Sequence, residues 1–84
     1  MIYFTKHARE KFNVLKRHKL EILKEQVEFT VIDPDVIDRS RTPLLIAQRK
    51  IDKSHVLRVV YKKEGKDIIK IITFYPGRIK QYED

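Results

Sequence analysis

Five residues of the 84-residue chain have the types needed to break RNA without a metal ion: His7, Glu10, Arg58, Tyr75 and Arg78. In that reaction the RNA's own 2′-hydroxyl attacks the adjacent phosphate. A protein that assists must accept a proton, stabilise a dianionic phosphorane-like transition state and protonate the leaving oxygen. His, Glu or Tyr can move the protons, and Arg or Lys can stabilise the charge. His7 and Glu10, three apart, share a face at the start of one helix and are expected as general base or acid. Arg58 and Arg78 are expected to stabilise the phosphate, and Tyr75 to stack on a base or orient the phosphate. Lys11, Arg49, Lys50 and Lys80 are the expected backbone contacts. Arg58 makes the greatest demand, because it interrupts the apolar run Val56-Leu57-Arg58-Val59-Val60-Tyr61. A charge there must reach water or a partner. The others have structural roles open to them: His7 in the first helical turn, Glu10 paired with surface bases, Tyr75 closing the core, Arg78 solvated on a tail.

Other chemistries are excluded by residue type. The chain has no cysteine, which removes disulfides, thiolate zinc sites and a cysteine nucleophile. Its two glycines, Gly65 and Gly77, are isolated, so no glycine-rich phosphate loop exists, and neither G-x-S-x-G nor H-E-x-x-H occurs. His7, His18 and His55 lie far apart. His7 with Glu10 would make half a metal site, and without a second pair at suitable spacing neither a metal nor another cofactor is expected.

Charge narrows the partners. The formal net charge is +7, from 19 Lys and Arg against 12 acids. Residues 21–38 hold six acids (Glu21, Glu25, Glu28, Asp33, Asp35, Asp38) and one base, Lys24, a local charge of −5. The rest of the chain has 18 bases against six acids, or +12. A basic surface with one acidic side points to a polyanion such as RNA, met in one orientation. Abundant Lys, Glu and Ile with a single asparagine, Asn13, also fit a heat-adapted protein.

The elements that must carry these residues read as one α+β domain over residues 1–84. Ile2 and Phe4 alternate with Met1 and Tyr3, as in a short strand, and no signal peptide is expected. Thr5 can cap a helix from about Lys6 to Arg17, with Ala8, Phe12 and Leu15 on one face. A second helix is expected over Glu21–Thr30, stopped by Pro34. Strands are expected at Val36–Arg41 (an edge), Leu44–Ile51, Val56–Tyr61 and Ile68–Tyr75, with Thr42-Pro43, Asp52-Lys53-Ser54 and Glu64-Gly65 as turns and Pro76-Gly77 as the stop. The N-terminal strand and two helices should then pack on one face of a mostly antiparallel C-terminal sheet of about four strands. No stretch is apolar enough to span a membrane, and a cytoplasmic protein is expected.

Phe4-Thr5-Lys6-His7-Ala8 with Glu10, Pro34-Asp35, Leu57-Arg58-Val59-Val60-Tyr61, and Ile72-Thr73-Phe74-Tyr75-Pro76-Gly77-Arg78 with Tyr82 resemble a family of small prokaryotic domains similar to the RelE and BrnT toxins. Those toxins share a fold with barnase-type and colicin-type nucleases. The resemblance covers nearly the whole chain, although Arg17–Glu25 is about two residues longer than usual. It implies a RelE-like helical layer against a sheet whose other face forms an RNA groove. It also implies metal-independent endoribonuclease activity of toxin–antitoxin type and neutralisation by a cognate antitoxin, in a monomer or homodimer. Catalytic residues vary among RelE-like toxins, so the fold carries over better than the activity. Two rivals stay open: a non-catalytic nucleic-acid-binding module on the same scaffold, and a protein-interaction domain working through the acidic 21–38 stretch.

Register tests the site. An even-numbered loop centred on Glu64-Gly65 would set Arg58 opposite Ile71 and Val56 opposite Thr73. Val56, Arg58, Val60, Ile69, Ile71, Thr73 and Tyr75 would then share one face, which the resemblance places away from the helices, with Arg58 an accessible cation and Tyr75 nearby. An odd-numbered loop would instead put Arg58 beside Lys70 and Tyr75 on the opposite face.

Overall fold

The computed structural model describes residues 1–79. The chain runs β1 (Ile2–Phe4), α1 (Lys6–Arg17), α2 (Lys24–Ile32), β2 (Val36–Asp38), β3 (Leu45–Lys50), β4 (His55–Lys63) and β5 (Ile69–Arg78). The sheet order is β1-β5-β4-β3-β2. The sheet has five strands rather than the expected four, because β1 adds to β5 in parallel while all other pairs are antiparallel.

Thr5 starts α1 and ties it to the sheet. Its hydroxyl accepts from the Ala8 N–H and donates to the Ile72 carbonyl, both at 3.1 Å. One side chain therefore caps a helix and satisfies a strand carbonyl. At the other end the Leu20 N–H donates to the Leu15 carbonyl and the Lys19 N–H to the Lys16 carbonyl. Lys19 sits between them at φ 62°, the left-handed position of a Schellman cap. That cap leaves residues 20–23 outside helix, so α2 begins at Lys24 and not at Glu21. Gln26 fixes the new start by accepting from the Leu23 N–H at 2.8 Å.

The core lies between the helices and one sheet face. Ala8 and Leu15 of α1 and Val27 and Val31 of α2 pack with Leu45, Ala47, Leu57, Val59, Tyr61, Ile71 and Phe74. Phe12 joins Phe4 to Phe74 through tilted rings at 5.8 and 4.6 Å. Phe74 has no exposed surface, and truncating a ring so placed to alanine costs about 3–5 kcal/mol. Thr30, the one polar residue buried with them, donates to the Gln26 carbonyl at 2.7 Å.

A register shift between Val60 and Tyr61 decides which strand residues share a face. Val60 stands opposite Thr73, but Tyr61 stands opposite Ile71, which leaves Ile72 without a partner on β4. The carbonyl of this extra residue is the one that Thr5 bonds. The pairing differs from the expected one by four residues. The hairpin loop is centred on Lys66 and not on Glu64-Gly65, which moves the register by three, and the bulge adds one. Arg58 therefore faces Tyr75 instead of Ile71, and Val56 faces Gly77 instead of Thr73. Alternation restarts across the bulge. Ile69 and Ile71 therefore turn toward the helices, where Ile71 is fully buried, while Thr73 and Tyr75 stay on the face away from α1 and α2.

Strand β5 also runs through Pro76-Gly77, which read as its end. Pro76 pairs with Leu57, and β1 covers only Ile69–Ile71. Beyond Ile71 β5 is an edge among the described residues, where a missing N–H is tolerated. No helix among the described residues is long and apolar enough to cross a membrane.

Candidate nucleic-acid interface

Three side chains form a row across the face away from α1 and α2: Gln48 of β3, Arg58 of β4 and Tyr75 of β5, placed directly opposite one another. Arg58 Nη1 donates to Gln48 Oε1 at 2.6 Å, and Arg58 Nε to the Tyr75 hydroxyl at 3.2 Å. Its guanidinium carbon lies 5.9 Å from the Tyr75 ring centroid. From β2, Asp38 brings Oδ2 within 3.8 Å of Arg58 Nη2. The Arg58 side chain is only 13% exposed, so the expected freely accessible cation is instead gripped by its neighbours.

This grip answers why a strand of β-branched residues accepts an arginine. Ile46 and Val56, both buried, and half-buried Val60 share the face with it. A guanidinium on such a floor needs its N–H groups paired. Asp38 is itself fixed. The Ser40 hydroxyl and the Ser40 backbone N–H donate to it at 2.7 and 2.9 Å and hold its carboxyl below the usual aspartate range, with a smaller pull from Arg58.

The alternation that aims Arg58 also aims three lysines. Lys50 follows Arg49 on β3, and Lys62 and Lys70 stand directly opposite each other next to Tyr3. Like charges facing each other across strands are unfavourable unless an anion answers them. One is answered in part by Glu64, whose carboxylate lies 3.9 Å from Lys70 Nζ and accepts from the Tyr3 hydroxyl. That hydrogen bond lowers the Glu64 pKa and raises that of Tyr3.

The structure groups some of the expected site residues and separates others. Arg58 and Tyr75 come together. His7, Glu10 and Lys11 ride on α1, with the sheet between that helix and Arg58. At 100° per residue, Glu10 lies nearly opposite the Ala8–Phe12–Leu15 stripe and points away from the sheet. His7 lies to the side of that stripe and is exposed. No hydrogen bond or ion pair joins either to Arg58, Tyr75 or Arg78 among the described residues. Arg49 is on the helix-bearing side, 4.3 Å over the Phe29 ring and bonded to Asp33. Lys50 is on the face away from α1 and α2, opposite Val56. Lys80, and Tyr82 of the resemblance, lie outside the described residues.

Arg78 ends β5 opposite His55. His55 Nδ1 lies 3.0 Å from Asp52 Oδ1, which also accepts from the backbone N–H groups of Ser54 and His55. Those bonds, the Ser54 N–H first, hold Asp52 below the usual aspartate range. An ionised Asp52 can only accept, so it selects the imidazole tautomer with the proton on Nδ1 and leaves Nε2 as the basic nitrogen. Sequence reading missed this pair and the Gln48 and Asp38 grip. The aspartate three residues before a histidine across the Asp52-Lys53-Ser54 turn was the available signal. Gln48 and Asp38 carried none, since only strand pairing brings them to Arg58. Among the described residues no three His, Asp or Glu side chains gather as metal ligands would.

No protein-family model, curated protein or solved structure matches the chain.

Proposed function

We propose that the protein binds RNA on the face of its sheet away from α1 and α2, with Arg58 as phosphate ligand and Tyr75 as the adjoining base platform. The observation that carries this reading is the gripped Arg58 among Lys50, Lys62 and Lys70. Its Nη1 and Nε are held by Gln48 and Tyr75, so the guanidinium plane is set before any ligand arrives. Its contact with Asp38, at 3.8 Å, is longer than a charge-assisted hydrogen bond. A phosphate oxygen can displace that carboxylate and gain a better one. The +12 charge outside residues 21–38 supplies the long-range attraction.

A fluorescently labelled 12-nucleotide RNA titrated with protein at low salt tests it. Arg58→Ala should weaken binding at least tenfold, and Arg49→Ala, on the other side of the sheet, should leave it within twofold. Equal losses in both variants would show that the face is not the site.

A second reading adds cleavage of the bound RNA by its own 2′-hydroxyl, as in the toxins the sequence resembles, with a cytoplasmic setting and an antitoxin partner. This reading rests on the resemblance. Asp52 orients the His55 imidazole opposite Arg78, but alternation turns both toward the helix-bearing side, where His55 lies near Leu20, Ile22 and Pro76. Helix α1 carries His7 and Glu10 on that side too, so none of them adjoins Arg58. Cleavage that persists in EDTA and leaves a 2′,3′-cyclic phosphate is the expected result. Activity lost on chelation and restored by magnesium sinks this mechanism without touching RNA binding.

A further inference from the structure

We propose that the outer face of α2 docks a cationic, amphipathic segment of a partner protein. Helix α2 is apolar on both sides. Val27, Thr30 and Val31 face the core, yet Phe29 and Ile32, three residues apart and hence neighbours on the helix surface, face outward at 47% and 68% exposure. Leu23 before them and Val36 after them are also about half exposed. Five of the nine large apolar side chains exposed among the described residues fall between Leu20 and Val36. The outer side of α1 instead carries Lys6, Arg9, Glu10, Asn13 and Arg17. A contiguous apolar strip on the outward side of a helix marks a surface that a partner covers, and the sheet covers only the other side of α2.

Charge selects what covers the other. Glu25 precedes Phe29 by one turn, Glu28 precedes Ile32 by one turn, and neither has an ion pair among the described residues. Asp33 and Asp35 border the far end. The nearby cations are already engaged: Lys24 reaches over the Phe4 ring at 5.8 Å, and Arg49 lies over Phe29 and pairs with Asp33 at 3.3 Å and Asp35 at 3.8 Å. The patch is therefore an apolar strip with an acidic rim, inside the segment of local charge −5. A second copy laid symmetrically on it would set −5 against −5. An anionic membrane or nucleic acid would be repelled. A segment with apolar residues at helical spacing and flanking Lys or Arg answers both features, laying its apolar side chains along the Phe29–Ile32 strip and its charges on Glu25 and Glu28. Nine residues of α2 offer a track about 13 Å long, enough for two to three turns of a partner helix.

Two 14-residue helical peptides, with leucine at the apolar positions and either lysine or glutamate elsewhere, serve as probes against the isotopically labelled full chain. The leucine–lysine peptide should bind, although the protein is net cationic, and should shift backbone amides of residues 23–36 in NMR spectra. Phe29→Ser with Ile32→Ser should weaken binding at least tenfold, and Glu25→Gln with Glu28→Gln several-fold at low salt. Melting temperatures of both variants are read alongside, and the charge pair keeps the test informative if the apolar pair is destabilised. RNA affinity should be unchanged, which separates this surface from the sheet face. Three results would overturn the proposal: the leucine–glutamate peptide binding as tightly as the lysine one, shifts confined to other residues, or a homodimer in sedimentation that Phe29→Ser with Ile32→Ser dissolves.

Discussion

At the scale of single residues the question is what a charge does inside a strand. Arg58 is tolerated because Gln48, Tyr75 and Asp38 each take part of its guanidinium. Lysine cannot reproduce that, since one ammonium cannot serve Gln48 and the Tyr75 hydroxyl in the planar spacing that arginine offers. Arg58→Lys should therefore cost about 1–2 kcal/mol in urea unfolding despite keeping the charge, because buried acceptors lose their donors. Wild-type stability in that variant would mean that the network contributes nothing. Asp38 adds a pH dependence of defined sign. A carboxyl whose pKa is lower in the folded chain than in the unfolded one contributes stability above the unfolded value, and loses it as pH falls through the folded value. Asp38 should thus hold Ser40 and Arg58 through neutral and mildly acidic pH and release them only below the usual aspartate range. The Ser40 amide, followed by NMR from pH 7 to 2, should titrate with that low midpoint; a midpoint at or above the ordinary aspartate value counts against the arrangement.

At the scale of elements, two short helices depend on their ends. Isolated helices of 12 and 9 residues are marginal in water, so caps and sheet contacts decide whether they form. Thr5 serves both needs at once. Thr5→Ala should cost about 1–2 kcal/mol, at the upper end for an N-cap, because the Ile72 carbonyl also loses its donor. Thr5→Ser, which keeps the hydroxyl, should recover most of that in the same denaturant series. The far end of α1 offers the opposite opportunity. Lys19 holds a left-handed backbone at φ 62° with a side chain that disfavours it. Lys19→Gly removes that strain at some cost in unfolded-chain entropy, for a net gain of about 0.5–1 kcal/mol. A destabilised variant would show that the lysine side chain itself holds the turn.

At the scale of the molecule, charge and apolar surface are divided among sides. The sheet face away from α1 and α2 carries Lys50, Arg58, Lys62 and Lys70, and the outer side of α2 carries acids around an apolar strip. Four phosphate contacts on single-stranded RNA predict a log–log salt slope between about −2 and −3, or a loss of roughly 20- to 50-fold in affinity from 50 to 200 mM salt. Fluorescence anisotropy across that range checks it. A flat response would mean that the cations of this face do not meet phosphate. The same division lets a partner on α2 and RNA on the sheet bind at once without competing for surface.

Residue type and spacing alone determined the α+β class, the extent of α1, the strand segments, the stop at Pro34 and the polarity of the charge. Those features are local: a capping threonine, a 3.6-residue stripe and a proline act within a few residues. Alternation also placed Arg58, Thr73 and Tyr75 on one face, and the placement holds because the odd-numbered loop and the one-residue bulge each reverse the parity of the pairing and together restore it. Only the tertiary structure decided the rest. The bulge at Ile72 is stabilised by Thr5, 67 residues away, and nothing local announces it. The loop centred on Lys66 turns Ile69 and Ile71 inward, and the bulge then sets Tyr75 rather than Phe74 beside Arg58. The fifth strand, the proline inside β5 and the Gln48–Arg58–Asp38 contacts likewise depend on which strands become neighbours. That choice is made by burial of the whole core, since a strand's partners are fixed by shared apolar surface and not by its own residues.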